Sequence, residues 1–237
     1  MTEPLLQTTL HPSHVALGGK IVPFAGWEMP VQYGSIIAEV KAVRESAGMF
    51  DVGHMARLWL RGDRAQEMLE WITTNDISKL EDGRGQYSLL PNDHGGVVDD
   101  IIVYRIADGW FRMVVNASNH QKDVHWLHSH NTFGVDITDE TRQTGMIAVQ
   151  GPEAVEILCS IAGDADAVRR QPAFGTVYTT FGGVEAFGAR SGYTGEDGYE
   201  LICDARYSTA LWTALLNAGV KPCGLASRDA LRVEAGL

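Results

Sequence analysis

No uninterrupted apolar run in the 237-residue chain approaches the ~20 residues that a membrane-crossing helix needs. Its start, Met1-Thr2-Glu3-Pro4-Leu5-Leu6-Gln7, lacks the basic stretch and apolar core of a secretory leader. The two absences predict a cytoplasmic protein with no membrane partner. Positive charge is also scarce: 19 Lys and Arg against 30 Asp and Glu give a formal charge of −11. That balance argues against nucleic acid, whose phosphate backbone needs a basic excess. The three cysteines, Cys159, Cys203 and Cys223, stand isolated in apolar surroundings and are expected as buried thiols. They form no disulfide framework or zinc spacing. His120, His125, His128 and His130 cluster, but with no third ligand type placed beside them and Gln121-Lys122-Asp123 reading as a solvated face, so no metal is expected. A glycine–lysine phosphate loop, a Gly-x-Gly-x-x-Gly turn, a Gly-x-Ser-x-Gly elbow and a His-Glu-x-x-His helix are all missing. Nucleotide hydrolysis, Rossmann-type hydride transfer and zinc hydrolysis lose ground accordingly.

What is present is ordinary globular composition, 45% hydrophobic and 21% charged, enough for one large core or two modest ones. Ser35 can cap a helix with Ile36, Val40, Val43 and Ala47 inward, stopped by Gly48. Asp63 can cap a second, with Ala65, Met68, Leu69 and Ile72 on one face. Gln86 to Leu90 and Val97 to Tyr104 pattern as a hairpin across a Pro91–Gly96 turn, and Trp110 to Val115 as a strand. A polar-sided helix is predicted from Asn119 to about His130, a strand over 145–149, and a helix after Gly151-Pro152. Strands follow near 177–180, 184–188 and 199–203, then a helix over 209–217 and another that Ser227 can cap. Mixed elements without strict β–α alternation define an α+β fold with antiparallel hairpins.

Asp99 and Asp100 are the oddity of the chain, two adjacent carboxylates inside Val97-Val98-Asp99-Asp100-Ile101-Ile102-Val103-Tyr104. Strand alternation sends them to opposite faces, so one points with Val97, Ile101 and Val103 toward a core or cavity. There a carboxylate is costly unless something neutralises it or hydrogen-bonds to it. A sheet edge or bulge accounts for the pair equally well. The loop Ser191-Gly192-Tyr193-Thr194-Gly195-Glu196-Asp197-Gly198 suits close approach to a flat ligand, and a hairpin turn explains its glycines as readily. Glu200, opening the next strand, can accept two parallel N–H donors from a heterocycle. Arg228, in a first helical turn where the macrodipole disfavours it, calls for a carboxylate or a ligand. His54 reads as a structural hydrogen-bonder.

In order along the chain, several blocks carry a resemblance that none carries alone. They are Phe24-Ala25-Gly26-Trp27-Glu28-Met29-Pro30, Gly48-Met49-Phe50-Asp51-Val52, the Gly95–Tyr104 segment, Val114-Val115-Asn116-Ala117, the Gly192–Gly198 loop and Cys223-Gly224-Leu225 through Glu234-Ala235-Gly236. Together they resemble the aminomethyltransferase, or T-protein, family of the glycine cleavage system. The resemblance implies transfer of the one-carbon unit from the aminomethyl-lipoyl arm of the H-protein to tetrahydrofolate, releasing ammonia and giving 5,10-methylenetetrahydrofolate. It implies Asp99 as the catalytic carboxylate, Glu200 at the pterin edge, Tyr87, Tyr104 and Tyr193 lining the pocket, and Asn116 and Arg228 as further contacts. It also implies two interwoven lobes, residues 1–50 and 143–237 with 51–142 inserted, the boundaries following turn signals at Gly48 and Gly145.

Two departures qualify the resemblance. Gly53 stands where the family has Ser, and the chain stops at Leu237 where family members continue through the rest of the catalytic core into a C-terminal β-barrel. On this basis the isolated chain is expected to keep much of the folate pocket and to be weakly active or inactive alone. A tetrahydrofolate-dependent demethylase of the same superfamily, a non-catalytic folate-binding accessory protein and an inactive fragment are the alternatives.

Overall fold

The computed structural model describes residues 4–237. The chain forms two compact units: one runs up to His54 and resumes over Gln143–Ala173 and Val177–Leu237, and the other holds Met55–Arg142 with Phe174–Thr176. The first unit thus reaches four residues past the turn-based boundary at 50, because Asp51 still pairs with Ile147 and the Val52 N–H donates to the Met146 carbonyl. Phe174–Thr176 belongs with the second unit because Gly85 N–H donates to Phe174 O and Thr176 N–H to Gly83 O.

Along the chain, the first unit opens with β1 (Leu6–Gln7), α1 (His11–Ala16), β2 (Lys20–Phe24), β3 (Trp27–Gln32), α2 (Ile36–Glu45) and β4 (Gly48–Asp51). The second unit contains β5 (Ala56–Arg61), α3 (Ala65–Ile72), β6 (Arg84–Pro91), β7 (Val97–Ala107), β8 (Trp110–Val115), α4 (His120–Ser129) and β9 (Asp136–Asp139). The chain then forms β10 (Thr144–Gln150), α5 (Ala154–Ile161), α6 (Ala165–Arg170), β11 (Thr176–Phe181), β12 (Val184–Ala189), β13 (Gly198–Asp204), α7 (Ser208–Asn217), β14 (Lys221–Pro222) and α8 (Leu225–Ala235).

In the first unit a six-stranded sheet runs β11-β12-β13-β10-β4-β14, beside a three-stranded sheet β1-β3-β2. Central β10 is buried along nearly its whole length, as a strand covered on both faces must be. Its Ile147 and Val149 pack with Tyr199 and Leu201 of β13, with Ala154 and Leu158 of α5, and with Leu211, Trp212 and Leu215 of α7. Ser35 caps α2, its hydroxyl accepting from Ala38 N–H. Ser227 does not cap α8: Gly224 holds that position, and the Ser227 hydroxyl is buried inside the helix, donating to Glu39 Oε2 at 2.9 Å. Glu39 also accepts from the N–H groups of Tyr33 at 2.7 Å and Gly224 at 2.9 Å, so one buried carboxylate ties α2, α8 and the loop after β3 together.

A second buried carboxylate pins β4 to α1. Asp51 Oδ2 accepts from the Thr8 hydroxyl at 2.6 Å and lies 2.8 Å from His14 Nε2, while Oδ1 accepts from Gly53 N–H at 2.8 Å. The other His14 nitrogen meets the Tyr33 hydroxyl at 2.7 Å. A Cβ on Gly53 would fall 2.9 Å from Asp51 Oδ1, so a side chain here presses on this network. Burial pushes the Asp51 carboxyl up, but the His14 hydrogen bond and charge, Thr8 and Gly53 outweigh it and hold it below the ordinary value of 3.8. Asp51→Ala is therefore expected to lower stability by about 3–5 kcal/mol, the usual cost of breaking a buried charged network, in urea unfolding near neutral pH. Because folding depresses this group, its contribution is complete above 3.8 and is lost as pH falls through the native value. A loss below about 1 kcal/mol, within the range of an exposed pair, would contradict the network's role.

The second unit is a five-stranded sheet, β6-β7-β8-β5-β9, with one face covered by apolar side chains of α3 and α4. Met68, Leu69 and Ile72 of α3 and Leu127 of α4 meet Leu58, Leu60, Ile101, Val103 and Met113 of the sheet. Asp63 does not cap α3, since Arg64 occupies that position without a side-chain bond. The β6–β7 turn is organised by Asn92, whose Oδ1 accepts from the N–H groups of His94 and Gly96, with Gly95 at φ +78°.

Candidate functional site

Two constellations of buried polar groups stand out, one in each unit. In the second unit, register pairs Leu90 with Asp99 and Pro91 with Val97, so Val98 is an extra residue on β7. The bulge breaks the alternation read from sequence. Val97 turns out to solvent at 58% exposure, whereas Asp99 shares the covered face with Ile101 and Val103. Asp100 is exposed. Asp99 sits in a cradle of amides: Asn116 N–H donates to Oδ2 at 3.0 Å, and Oδ1 accepts from the Asn116 side chain at 3.1 Å and from the Asn119 side-chain amide. The same Asn116 amide reaches Asp100 Oδ1 at 2.9 Å. Both asparagines lie between the end of β8 and the start of α4.

One turn into α4, Asp123 is completely buried, which corrects the expectation of a solvated face over Gln121-Lys122-Asp123. Its neighbour Lys122 turns away and donates to the Val98 carbonyl at 2.6 Å. The overlooked signal was spacing: Asn119 and Asp123 are four residues apart and so share a helix face.

In the first unit, Glu200 lies near the start of β13, paired with Ala148 on one side and Ala189 on the other. It is 7% exposed, and its Oε2 accepts from the Ser191 hydroxyl at 2.7 Å, which leaves lone pairs for further donors. Arg228 of α8 stacks its guanidinium 5.2 Å from the Tyr193 ring and 5.9 Å from Phe50. Its Nη1 is buried with no hydrogen-bond partner among the described residues. Burial pushes Arg228 below the ordinary guanidinium value, while Glu200 and then Tyr193 pull it back up. An orphaned donor beside a buried carboxylate matches a planar heterocycle that offers N–H donors and an acceptor along one edge.

The loop carrying Tyr193 is held firmly. Gln150 donates to Ser191 O at 3.0 Å and accepts from the Thr194 hydroxyl at 2.9 Å, and Gly192 packs so closely that a Cβ would fall 1.8 Å from Gln150 Oε1. Arg44 of α2 donates to Thr194 O and Glu196, each at 2.8 Å, and to Glu234 of α8 at 2.9 Å. Tyr193 itself is 40% exposed, an aromatic face held on a rigid loop.

The structure therefore brings Asp99 and Asn116 together in one unit, and Glu200, Arg228 and Tyr193 in the other. Tyr87 and Tyr104 stand differently. Tyr87 pairs with Ile102 and Tyr104 with Gly85, which puts both rings on the sheet face opposite Asp99. Tyr104 is 1% exposed and lies across Gly85, where a Cβ would come within 2.4 Å of the ring; Tyr87 is 50% exposed. His54 is buried, edge-on to Phe24 at 5.5 Å.

The described residues thus carry a buried anion in an amide cradle in one unit and a carboxylate–arginine–tyrosine cluster in the other. The chain belongs to the GCVT N-terminal domain family, which matches residues 10–237. It is 45% identical over 236 residues to the aminomethyltransferase of Chlorobaculum parvum, covering 97% of this chain and 64% of that protein. The aminomethyltransferase of Deinococcus deserti is likewise 45% identical, over 98% of this chain and 65% of its own length. The crystal structure of glycine cleavage system aminomethyltransferase T from Bartonella henselae superposes with a TM-score of 0.90 at 34% identity, covering 98% of this chain and 63% of that one. The chain thus spans slightly under two thirds of the relatives it matches. Heterotetrameric sarcosine oxidase from Corynebacterium shares the fold more distantly, at TM-score 0.56 and 15% identity. Among the described residues no helix is long and apolar enough to cross a membrane.

Proposed function

We propose that this chain carries the folate-handling part of an aminomethyltransferase of glycine cleavage. In that reaction a nitrogen of tetrahydrofolate attacks the aminomethyl carbon held on the lipoyl sulfur of the H-protein. Ammonia leaves, the carbon becomes the methylene bridge of 5,10-methylenetetrahydrofolate, and the lipoyl arm is left as the dithiol. Glu200 takes the N–H donors of the pterin edge, Arg228 supplies the opposing donor through its unpartnered Nη1, and Tyr193 offers a flat face. Asp99 is the working carboxylate. As a leaving group departs from the carbon while a nitrogen stays bonded to it, the carbon gains iminium character, and an anion fixed by amide donors stabilises that charge without having to take a proton. The remaining rate comes from holding two reactants at bonding distance.

The observation that carries this reading is the orphaned Arg228 donor beside Glu200 on a chain whose relatives bear the name aminomethyltransferase. The test is a single-turnover mixture of the chain, tetrahydrofolate and H-protein loaded with the aminomethyl group. Ammonia and methylenetetrahydrofolate are expected in equal amounts, and only when tetrahydrofolate is present. Transfer from an O- or S-methyl donor in place of the aminomethyl donor would assign the chain to the demethylases instead.

A further inference from the structure

The Asp123 carboxyl has no place in the reaction as described, yet it is the most conspicuous buried charge candidate in the second unit. It is fully buried, and no N–H or O–H donor among the described residues reaches either of its oxygens. What it faces is another carboxylate, Asp99, which accepts from Asn119, one turn earlier on the same side of α4. Two carboxyl groups in contact inside a low-dielectric site cannot both be ionised, so one proton must lie between them. The surroundings decide its position. Asp99 accepts from Asn116 N–H, the Asn116 amide and the Asn119 amide, all of which favour its anion, whereas Asp123 receives nothing.

We propose that Asp123 is the positioning residue for Asp99: it keeps the proton of the pair and, as a carboxylic acid, donates it to the Asp99 carboxylate. Asp99 is then an anion with one more donor than its amides supply, fixed in orientation. The other charged groups near Asp123 do not displace the proton. Lys122 leans toward the Val98 carbonyl, Asp100 on β7 adds negative charge, and His120 at the start of α4 is occupied with Asp139 at 2.6 Å. Burial first, and then Asp99, push Asp123 up to about 8, with Lys122 opposing and Asp100 assisting. Above that pH the proton passes to solvent, the O–H donor is lost, and two anions face each other.

This inference rests on Asp99 as the working carboxylate for its functional meaning, but the shared proton is measurable without any substrate. Infrared spectra of the intact chain across a pH series report the C=O stretch of a protonated carboxyl. The expected result is one such band at neutral pH that disappears with a midpoint near pH 8, is absent in Asp123→Asn, and titrates at lower pH in Asp99→Asn. Stability gives a second readout. The native state holds a proton that the unfolded chain has released, so stability falls as pH rises from 3.8 to about 8, and Asp123→Asn removes that slope. A wild-type chain with no protonated carboxyl at neutral pH, or a band that survives in a folded Asp123→Asn, would overturn the proposal. Where Asp123→Asn does not fold, the wild-type band and its shift in Asp99→Asn decide. A chain that shows the band but transfers no one-carbon unit would retire the folate reading alone. Where transfer is observed, the transfer rate of the wild type should fall through the same midpoint while that of Asp123→Asn, which retains an N–H donor, stays level.

Discussion

Glu200→Ala is expected to weaken tetrahydrofolate binding by about 100-fold, the larger of two effects at this recess. A carboxylate accepting from neutral N–H donors in a buried site contributes roughly 1.5–3 kcal/mol, which corresponds to about 10- to 150-fold in affinity. The alanine also removes the negative charge that offsets the burial of Arg228, already left with one unpartnered N–H. The guanidinium then turns toward solvent or draws in water, and the recess loses its shape. Glu200→Gln keeps the volume and one acceptor, so a loss nearer tenfold is expected. Equilibrium titration followed by protein fluorescence measures both. Affinity within twofold of wild type in Glu200→Ala, with unfolding unchanged, would move the pterin edge elsewhere.

Asp99→Asn is expected to act on rate instead of affinity. Removing one preorganised stabiliser of developing charge costs on the order of 10²–10³ in the chemical step. The substituted amide has the size of the acid but only one acceptor, and its NH2 group opposes whichever asparagine N–H it meets. Single-turnover transfer should therefore slow by about that factor while tetrahydrofolate affinity changes less than about threefold, the signature of an interaction made in the transition state alone. A slowing of less than about fivefold would mean that the carbon's positive charge is stabilised elsewhere, with Asp100 on the opposite face as the next residue to replace.

Much of this architecture was legible in the sequence, and the misses have physical causes. The short apolar run 145–149, the helix from Asn119 to about His130 and the strands near 184–188 and 199–203 are all legible in the sequence, and the structure has each of them. Asp99 was marked by an energetic anomaly, a carboxylate where a strand should be apolar, and the structure does bury it. The bulge at Val98 was invisible because one extra residue leaves no mark in composition, and it turned Val97 outward. Ser227 looked like a cap, but Glu39, nearly two hundred residues earlier, claims its hydroxyl, and no local rule reaches that far. Asp123 was masked by its neighbours: in Gln121-Lys122-Asp123 two polar residues made the third look solvated, although only one of the three lies on the inward face.

The central claim, that this chain holds a folate site, is tested most directly by calorimetric titration of the purified chain with tetrahydrofolate. Saturable one-to-one binding is expected, persisting in Asp99→Asn and collapsing in Glu200→Ala. A folded chain that takes up no tetrahydrofolate, or binds it equally well in Glu200→Ala, would contradict it.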